Sequence, residues 1–140
     1  MRAAYRYGTV IVFLGVLAQV GAAGYGAFYT ANKLQDKGDV LGHEGFDHGW
    51  DFHSGFGYIV VIAMIVLMLL GFAAKLGKPR IYLPIALAVA GVVQVLLAWL
   101  GESVPGLGFL HPINALVIFA ASGAAAHVAW RQERHARTSA

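Results

Sequence analysis

The sequence contains no cysteine, and charged residues make up only 12% of it. Without cysteine there are no disulfides, thiolate metal sites, iron–sulfur clusters or covalently attached c-type haem. The scarcity of charge is unusual, because soluble domains carry about 25% Asp, Glu, Lys and Arg. A P-loop, a dinucleotide-binding fingerprint and a Ser/His/Asp set are also missing. These absences argue against soluble hydrolase, NTPase and dehydrogenase chemistry.

What the chain does contain is apolar sequence, with 59% hydrophobic residues and a mean hydropathy of +0.66. Four uncharged apolar runs lie at about 8–29, 54–74, 81–100 and 112–130. Each has about the 20 residues that a helix needs to cross a bilayer. Such runs must be helical in lipid, where every backbone polar group needs an internal partner. The sequence therefore predicts one all-α integral membrane domain over residues 1–140, with an outer loop at 30–53.

The basic residues are distributed unevenly between the connections. Most of them precede the first run, separate the second from the third, or follow the fourth: Arg2, Arg6, Lys75, Lys78, Arg80, Arg131, Arg134 and Arg137. Only Lys33 and Lys37 lie in the 30–53 connection. The positive-inside rule then predicts an up-down-up-down four-helix bundle with both termini cytoplasmic. There is no basic stripe with interleaved aromatics, so the expected partner is the lipid bilayer rather than nucleic acid.

Two histidines stand at matching positions in this pattern. His53 precedes the second run and His111 precedes the fourth, so the predicted topology puts them at one depth near the outer face. Helices two and four of such a bundle lie on a diagonal. One turn further along the same faces come Gly57 and Ala115, whose small size leaves room for a ring system, and Asn114 adds an amide. This arrangement predicts one metal cofactor between two imidazoles, above all haem iron.

The haem prediction also requires polar groups beside the two histidines. A metal-bound histidine needs a hydrogen-bond partner that fixes its tautomer. The polar residues nearby are the candidates: Ser54, Asp51, Glu102 and Asn114. In the simpler alternative His111 caps its helix ahead of Pro112, and His53 is an interfacial side chain. Gln19 and Gln94 lie inside the runs and are predicted to form hydrogen bonds between helices.

The outer connection offers a different metal site. His43 and His48 alternate there with Glu44 and Asp47, and imidazole with carboxylate suits Zn²⁺ or Cu²⁺. On a helix, however, an interval of five residues puts successive histidines on different faces. The alternative is a solvated acidic segment.

The segment Leu110-His111-Pro112-Ile113-Asn114-Ala115-Leu116 is similar in style to the fourth-helix histidine segment of membrane b-type cytochromes. With His53, it resembles one four-helix half of the haem A synthase family. The chain resembles more closely still a group of small bacterial four-helix membrane proteins of uncharacterised function. The resemblance implies a bacterial plasma-membrane protein with one haem b ligated by His53 and His111.

The chain departs from the haem A synthase pattern at several points. It has one four-helix unit where that family has two, and a homodimer would restore the second. Ser54 stands where arginine typically follows the second-helix histidine, and the outer cysteine pair of some members is missing. Haem binding is therefore the property that carries over, and catalysis of haem oxidation is not implied.

The leading functional prediction is thus a bis-histidine haem protein in electron transfer or haem handling, working with respiratory or haem-handling membrane subunits. Two alternatives stay open. In the first, the protein is a haem-free accessory subunit of a larger membrane complex. In the second, it binds a transition metal through His43 and His48. No catalytic set is complete, which leaves open whether the protein is an enzyme.

Overall fold

The computed structural model describes the backbone of residues 1–138 and the side chains of residues 1–131. Its elements are α1 (Arg2–Lys33), α2 (His43–Ala73), α3 (Tyr82–Ser103), the short α4 (Pro105–Gly108) and α5 (Leu110–Thr138). Over these residues the fold is all-α, as predicted. Four helices are long and apolar enough to cross a membrane, which indicates an integral membrane protein.

The helices extend beyond the apolar runs, most of all at the connection between the first and second runs. The sequence predicted a loop at 30–53, but α1 continues to Lys33 and α2 already begins at His43. Only residues 34–42 are irregular, and Gly38 there has a φ of +105°. Glu44 in the first turn of α2 favours the early start, because a carboxylate is stabilised at the positive end of a helix dipole. The polar segment ahead of His53 is therefore a helical extension of α2.

The four long helices form a ring in cross-section. α1 packs against α2 and α5, and α3 packs against the same two helices, so α2 and α5 face each other across a diagonal. Along α1 and α2, Gly8 lies beside Leu67, Gly15 beside Val60, and Gly26 beside Trp50. Small residues at such positions let two membrane helices approach closely.

The interior of the ring is apolar and tightly filled below the histidine level. Its buried side chains include Val12, Val16, Val60, Met64, Leu67, Leu87, Ile118 and Ala125. Large apolar side chains on the opposite faces point outward, as expected where lipid replaces water as the solvent. Because Val60 and Ile118 fill the core, the space for a cofactor is limited to the end of the bundle where His53 and His111 lie.

The connection between α2 and α3 closes the other end of the bundle. Lys75 has a φ of 53°, the left-handed conformation that commonly ends a helix. Its amide donates to the Phe72 carbonyl, and the Leu76 amide donates to the Gly71 carbonyl at 3.2 Å. This turn brings Arg80 to the start of α3, close to the beginning of α1 and to α5.

Candidate histidine-pair site

His53 and His111 are brought together at the end of the bundle that is opposite the connection between α2 and α3. His53 lies in the third turn of α2, and His111 lies in the first turn of α5. The centroids of their imidazole rings are 6.3 Å apart, and the ring planes meet at 67°. Both residues are half-buried. The two histidines that the sequence singled out are therefore neighbours, although they stand on diagonal helices.

The His53 ring is anchored to α1 by hydrogen bonds in both directions. Its Nδ1 lies 3.3 Å from the backbone carbonyl oxygen of Gln19. A carbonyl oxygen only accepts, so Nδ1 carries the proton and donates it. In return the side-chain amide of Gln19 donates to the His53 carbonyl at 3.1 Å. The orientation of this imidazole is thus set by the neighbouring helix.

The His111 ring is held to α3 in the same way. Its Nδ1 donates to the backbone carbonyl of Gln94 at 3.1 Å. One turn along α5, the Asn114 amide donates to the Gln94 side-chain oxygen at 2.7 Å and to the Ala90 carbonyl at 3.0 Å. Each histidine ring therefore donates to the main-chain carbonyl of a glutamine, which lies on α1 for His53 and on α3 for His111.

This hydrogen bonding leaves the same atom of both rings for a ligand. With the proton on Nδ1, Nε2 carries the lone pair, and neither Nε2 has a hydrogen-bond partner among the described residues. Metal-bound histidines commonly donate their other ring N–H to a carbonyl or carboxylate. Two imidazoles on opposite sides of one metal put their centroids about 6 Å apart, given metal–nitrogen bonds of about 2.0 Å and about 1 Å from nitrogen to ring centre. The observed 6.3 Å agrees with that geometry.

The other predicted site residues have different surroundings. A side chain at Gly57 would meet the Gln19 amide, 3.5 Å from its Nε2, so Gln19 occupies the space beside this glycine. Asn114 is engaged with α3 rather than directed into a cofactor slot. Ala115 lies half-buried one turn after His111.

The partners that orient the two imidazoles differ from those predicted. Ser54, Asp51 and Glu102 are exposed, and Asn114 bonds to α3. The actual acceptors are the main-chain carbonyls of Gln19 and Gln94, which sequence reasoning missed. The side chains of Gln19 and Gln94 do form hydrogen bonds between helices, as predicted. The sequence signal that could have indicated the carbonyl acceptors is the presence of one glutamine in the first apolar run and one in the third.

Trp50 is a further neighbour of the pair. Its ring lies edge-on to the His53 ring, with centroids 5.8 Å apart. Its indole N–H donates to the Thr30 hydroxyl at 3.2 Å, and its ring packs over Gly26. The first turns of α2, through Trp50, therefore pack against His53 on the side away from the core.

The residues of the outer metal hypothesis do not converge. The His43 Nδ1 lies 2.9 Å from an Asp47 carboxylate oxygen, one turn away on the same exposed surface. His48 packs against the Tyr29 ring, with centroids 5.4 Å apart. Within the part of the chain that the structure describes, no three His, Cys, Asp or Glu residues gather as a metal site needs.

Comparison with known proteins gives no match, whether with protein-family models, curated protein sequences or solved structures. The resemblance to haem A synthase therefore stays a prediction, and the feature of the molecule that bears on function is the geometry of the histidine pair.

Proposed function

We propose that this chain binds one b-type haem near the outer face of a bacterial plasma membrane, with His53 and His111 as axial ligands. The haem would supply reversible one-electron chemistry, used for electron transfer or haem handling within a larger membrane assembly. One observation carries the proposal: the two imidazoles lie 6.3 Å apart, each with its Nδ1 held by a main-chain carbonyl.

The protein's own groups favour such a ligand pair in two ways. The Gln19 and Gln94 carbonyls hold the rings in the tautomer that presents Nε2. The packed residues below the pair, among them Val60 and Ile118, exclude water from the membrane side. A fixed tautomer and a dry surround are the means by which a protein tunes a bound metal.

The proposal includes an up-down-up-down topology with both termini cytoplasmic. The charge distribution supports it, because Arg2, Arg6, Lys75, Lys78 and Arg80 collect at one end of the bundle. The other end carries the acidic extension of α2, with Glu44, Asp47 and Asp51. The positive-inside rule assigns the basic end to the cytoplasm and the histidine pair to the opposite face.

The test is the absorption spectrum of the full-length protein purified from haem-replete cells. We expect a Soret band and, after reduction, the α-band of a six-coordinate b-type haem. His53→Ala and His111→Ala should each abolish the bis-histidine spectrum, because each removes one axial ligand. His127→Ala is the matched control, since His127 is an exposed histidine on α5 far from the pair, and its spectrum should equal that of the wild type.

Two results would overturn the proposal. One is wild-type protein that stays colourless and binds no added haemin while its helical circular dichroism is intact. The other is a spectrum that both alanine variants retain. Stoichiometric co-purification of partner subunits with colourless protein would favour the accessory-subunit alternative. Metal bound by colourless protein and lost in His43→Ala or His48→Ala would favour the outer-connection alternative.

A further inference from the structure

The imidazoles of His53 and His111 turn their Nε2 atoms toward the middle of the bundle. The His53 Nδ1 donates to α1 and the His111 Nδ1 donates to α3. These two helices lie on opposite sides of the diagonal that joins α2 and α5. Because the two nitrogens of an imidazole point away from each other, each Nε2 faces away from the helix that anchors its ring. Both lone pairs are therefore directed into the space between α2 and α5.

The distance between the two rings is too long for a direct hydrogen bond between them. Such a bond would put the centroids about 5 Å apart, given about 2.9 Å between the nitrogens and about 1 Å from each nitrogen to its ring centre. The centroids of His53 and His111 are 6.3 Å apart. That separation agrees with one ion between the two Nε2 atoms, joined to each by a bond of about 2 Å.

The number of ligands restricts which ion suits the pair. Among the described residues, no third His, Cys, Asp or Glu joins His53 and His111. Zn²⁺ takes four ligands in tetrahedral sites, and Cu²⁺ takes a tetragonal set. Cu⁺ has a filled d shell and accepts two imidazoles in a linear arrangement, in which the angle between the ring planes is unconstrained. The two ligands and their angle of 67° therefore suit Cu⁺.

The charge of the ion leads to the same choice. No carboxylate among the described residues accompanies the two histidines. The buried side chains of Val60 and Ile118 lie two turns further along α2 and α5. The cost of moving an ion from water into apolar surroundings rises with the square of its charge. Two neutral imidazoles therefore hold a monovalent ion at a much lower cost than a divalent one.

We propose that His53 and His111 also bind a single Cu⁺ ion, held linearly between their Nε2 atoms when haem is absent. The ion exchanges its previous ligands for two neutral imidazoles. No proton leaves and no electron moves, because each Nε2 already carries its lone pair. The proposal uses the same two residues as the haem proposal, and it does not require that the protein bind haem.

The test is a titration of haem-free, full-length protein in neutral detergent with Cu⁺, under anaerobic conditions with ascorbate. The chromophoric chelator bicinchoninate competes for the ion and reports its affinity. We expect one Cu⁺ for each chain. X-ray absorption at the copper edge should show a two-coordinate ion with nitrogen ligands only. Three or more ligand atoms around the copper would overturn the linear site.

Alanine variants locate the ion. His53→Ala and His111→Ala should each weaken Cu⁺ binding more than about a hundredfold, since loss of an outer hydrogen-bond partner alone costs about 10–100-fold. The exposed histidines are the matched controls: His43→Ala, His48→Ala and His127→Ala should keep the wild-type affinity. Helical circular dichroism checks that every variant folds. Unchanged affinity in both His53→Ala and His111→Ala would refute the site.

Haemin separates this proposal from the haem proposal without any variant. Both occupants need the same two Nε2 atoms, so haemin that binds should release Cu⁺ one for one. Copper that stays bound beside haem would lie elsewhere and would contradict the site. Cu⁺ binding by a protein that takes no haemin would support the copper site and remove the haem proposal. Haem binding by a protein that takes no Cu⁺ would do the reverse.

Discussion

Gln19 and His53 hold each other through two hydrogen bonds that run in opposite directions between α1 and α2. The Gln19 amide donates to the His53 carbonyl at 3.1 Å, and the His53 Nδ1 donates to the Gln19 carbonyl at 3.3 Å. The side chain of Gln19 ties the helices, while its main chain orients the imidazole. Because the two tasks use different atoms, a substitution can separate them.

Gln19→Leu should lower the stability of the protein without moving the acceptor of the His53 ring. The variant loses the bond to the His53 carbonyl and keeps the main-chain carbonyl of residue 19. Hydrogen bonds between membrane helices are worth about 0.6 kcal/mol on average. We expect a loss of that size in the free energy of unfolding, measured by titration with a denaturing detergent. Gln35→Leu, in the exposed connection, is the control, and equal stability of the two variants would contradict the assignment.

Asn114 and Gln94 should be energetically coupled. The Asn114 amide reaches both the Gln94 side-chain oxygen and the Ala90 carbonyl. Asn114→Leu removes both bonds and should cost about 1 kcal/mol. In the double variant with Gln94→Leu the loss should be smaller than the sum of the two single losses, because the shared bond is counted only once. Strict additivity in this double-mutant cycle would show that the bond is absent in the membrane.

Gly26 should not tolerate a side chain. A Cβ atom at this position would lie 2.7 Å from the Trp50 ring and 3.0 Å from the Gly49 carbonyl oxygen. Gly26→Ala must therefore push α2 away from α1, and its unfolding midpoint should fall. Gly24→Ala is the matched control, because nothing lies within 4 Å of its Cβ position. That variant should be neutral or up to about 1 kcal/mol more stable, since alanine is the better helix former. A reversed order of the two midpoints would be incompatible with this packing.

The proposed orientation predicts which connections a membrane-impermeant maleimide reaches. The chain has no cysteine, so a maleimide can label this protein only at the single cysteine that is introduced. In intact cells with a permeable outer envelope, Gln35→Cys should be labelled directly. Lys78→Cys should be labelled only after the membrane is disrupted. The opposite pattern would place both termini outside and would refute the cytoplasmic assignment.

The fold was largely predictable because membrane helices follow from composition. A stretch such as 54–74, without one charged residue, has to be helical if it lies in lipid. The connection between α1 and α2 was not predictable in the same way. Apart from Phe46 and Trp50, the residues from His43 to Asp51 are polar or small, and their periodicity gives no reason to extend α2 through them. Their helical conformation depends on Trp50 packing over Gly26 and on the bond from its indole to Thr30.

The histidine site was also predictable only in part. The sequence by itself determined that the chain is a set of apolar helices and that His53 and His111 stand at corresponding helix ends, because hydropathy and position are properties of residues. Only the tertiary structure decided that the rings lie 6.3 Å apart and that main-chain carbonyls of Gln19 and Gln94 receive both Nδ1 atoms. Every residue except proline offers the same main-chain donor and acceptor. Which carbonyl accepts from which imidazole therefore depends on helix register and packing, and it cannot be read from residue identity.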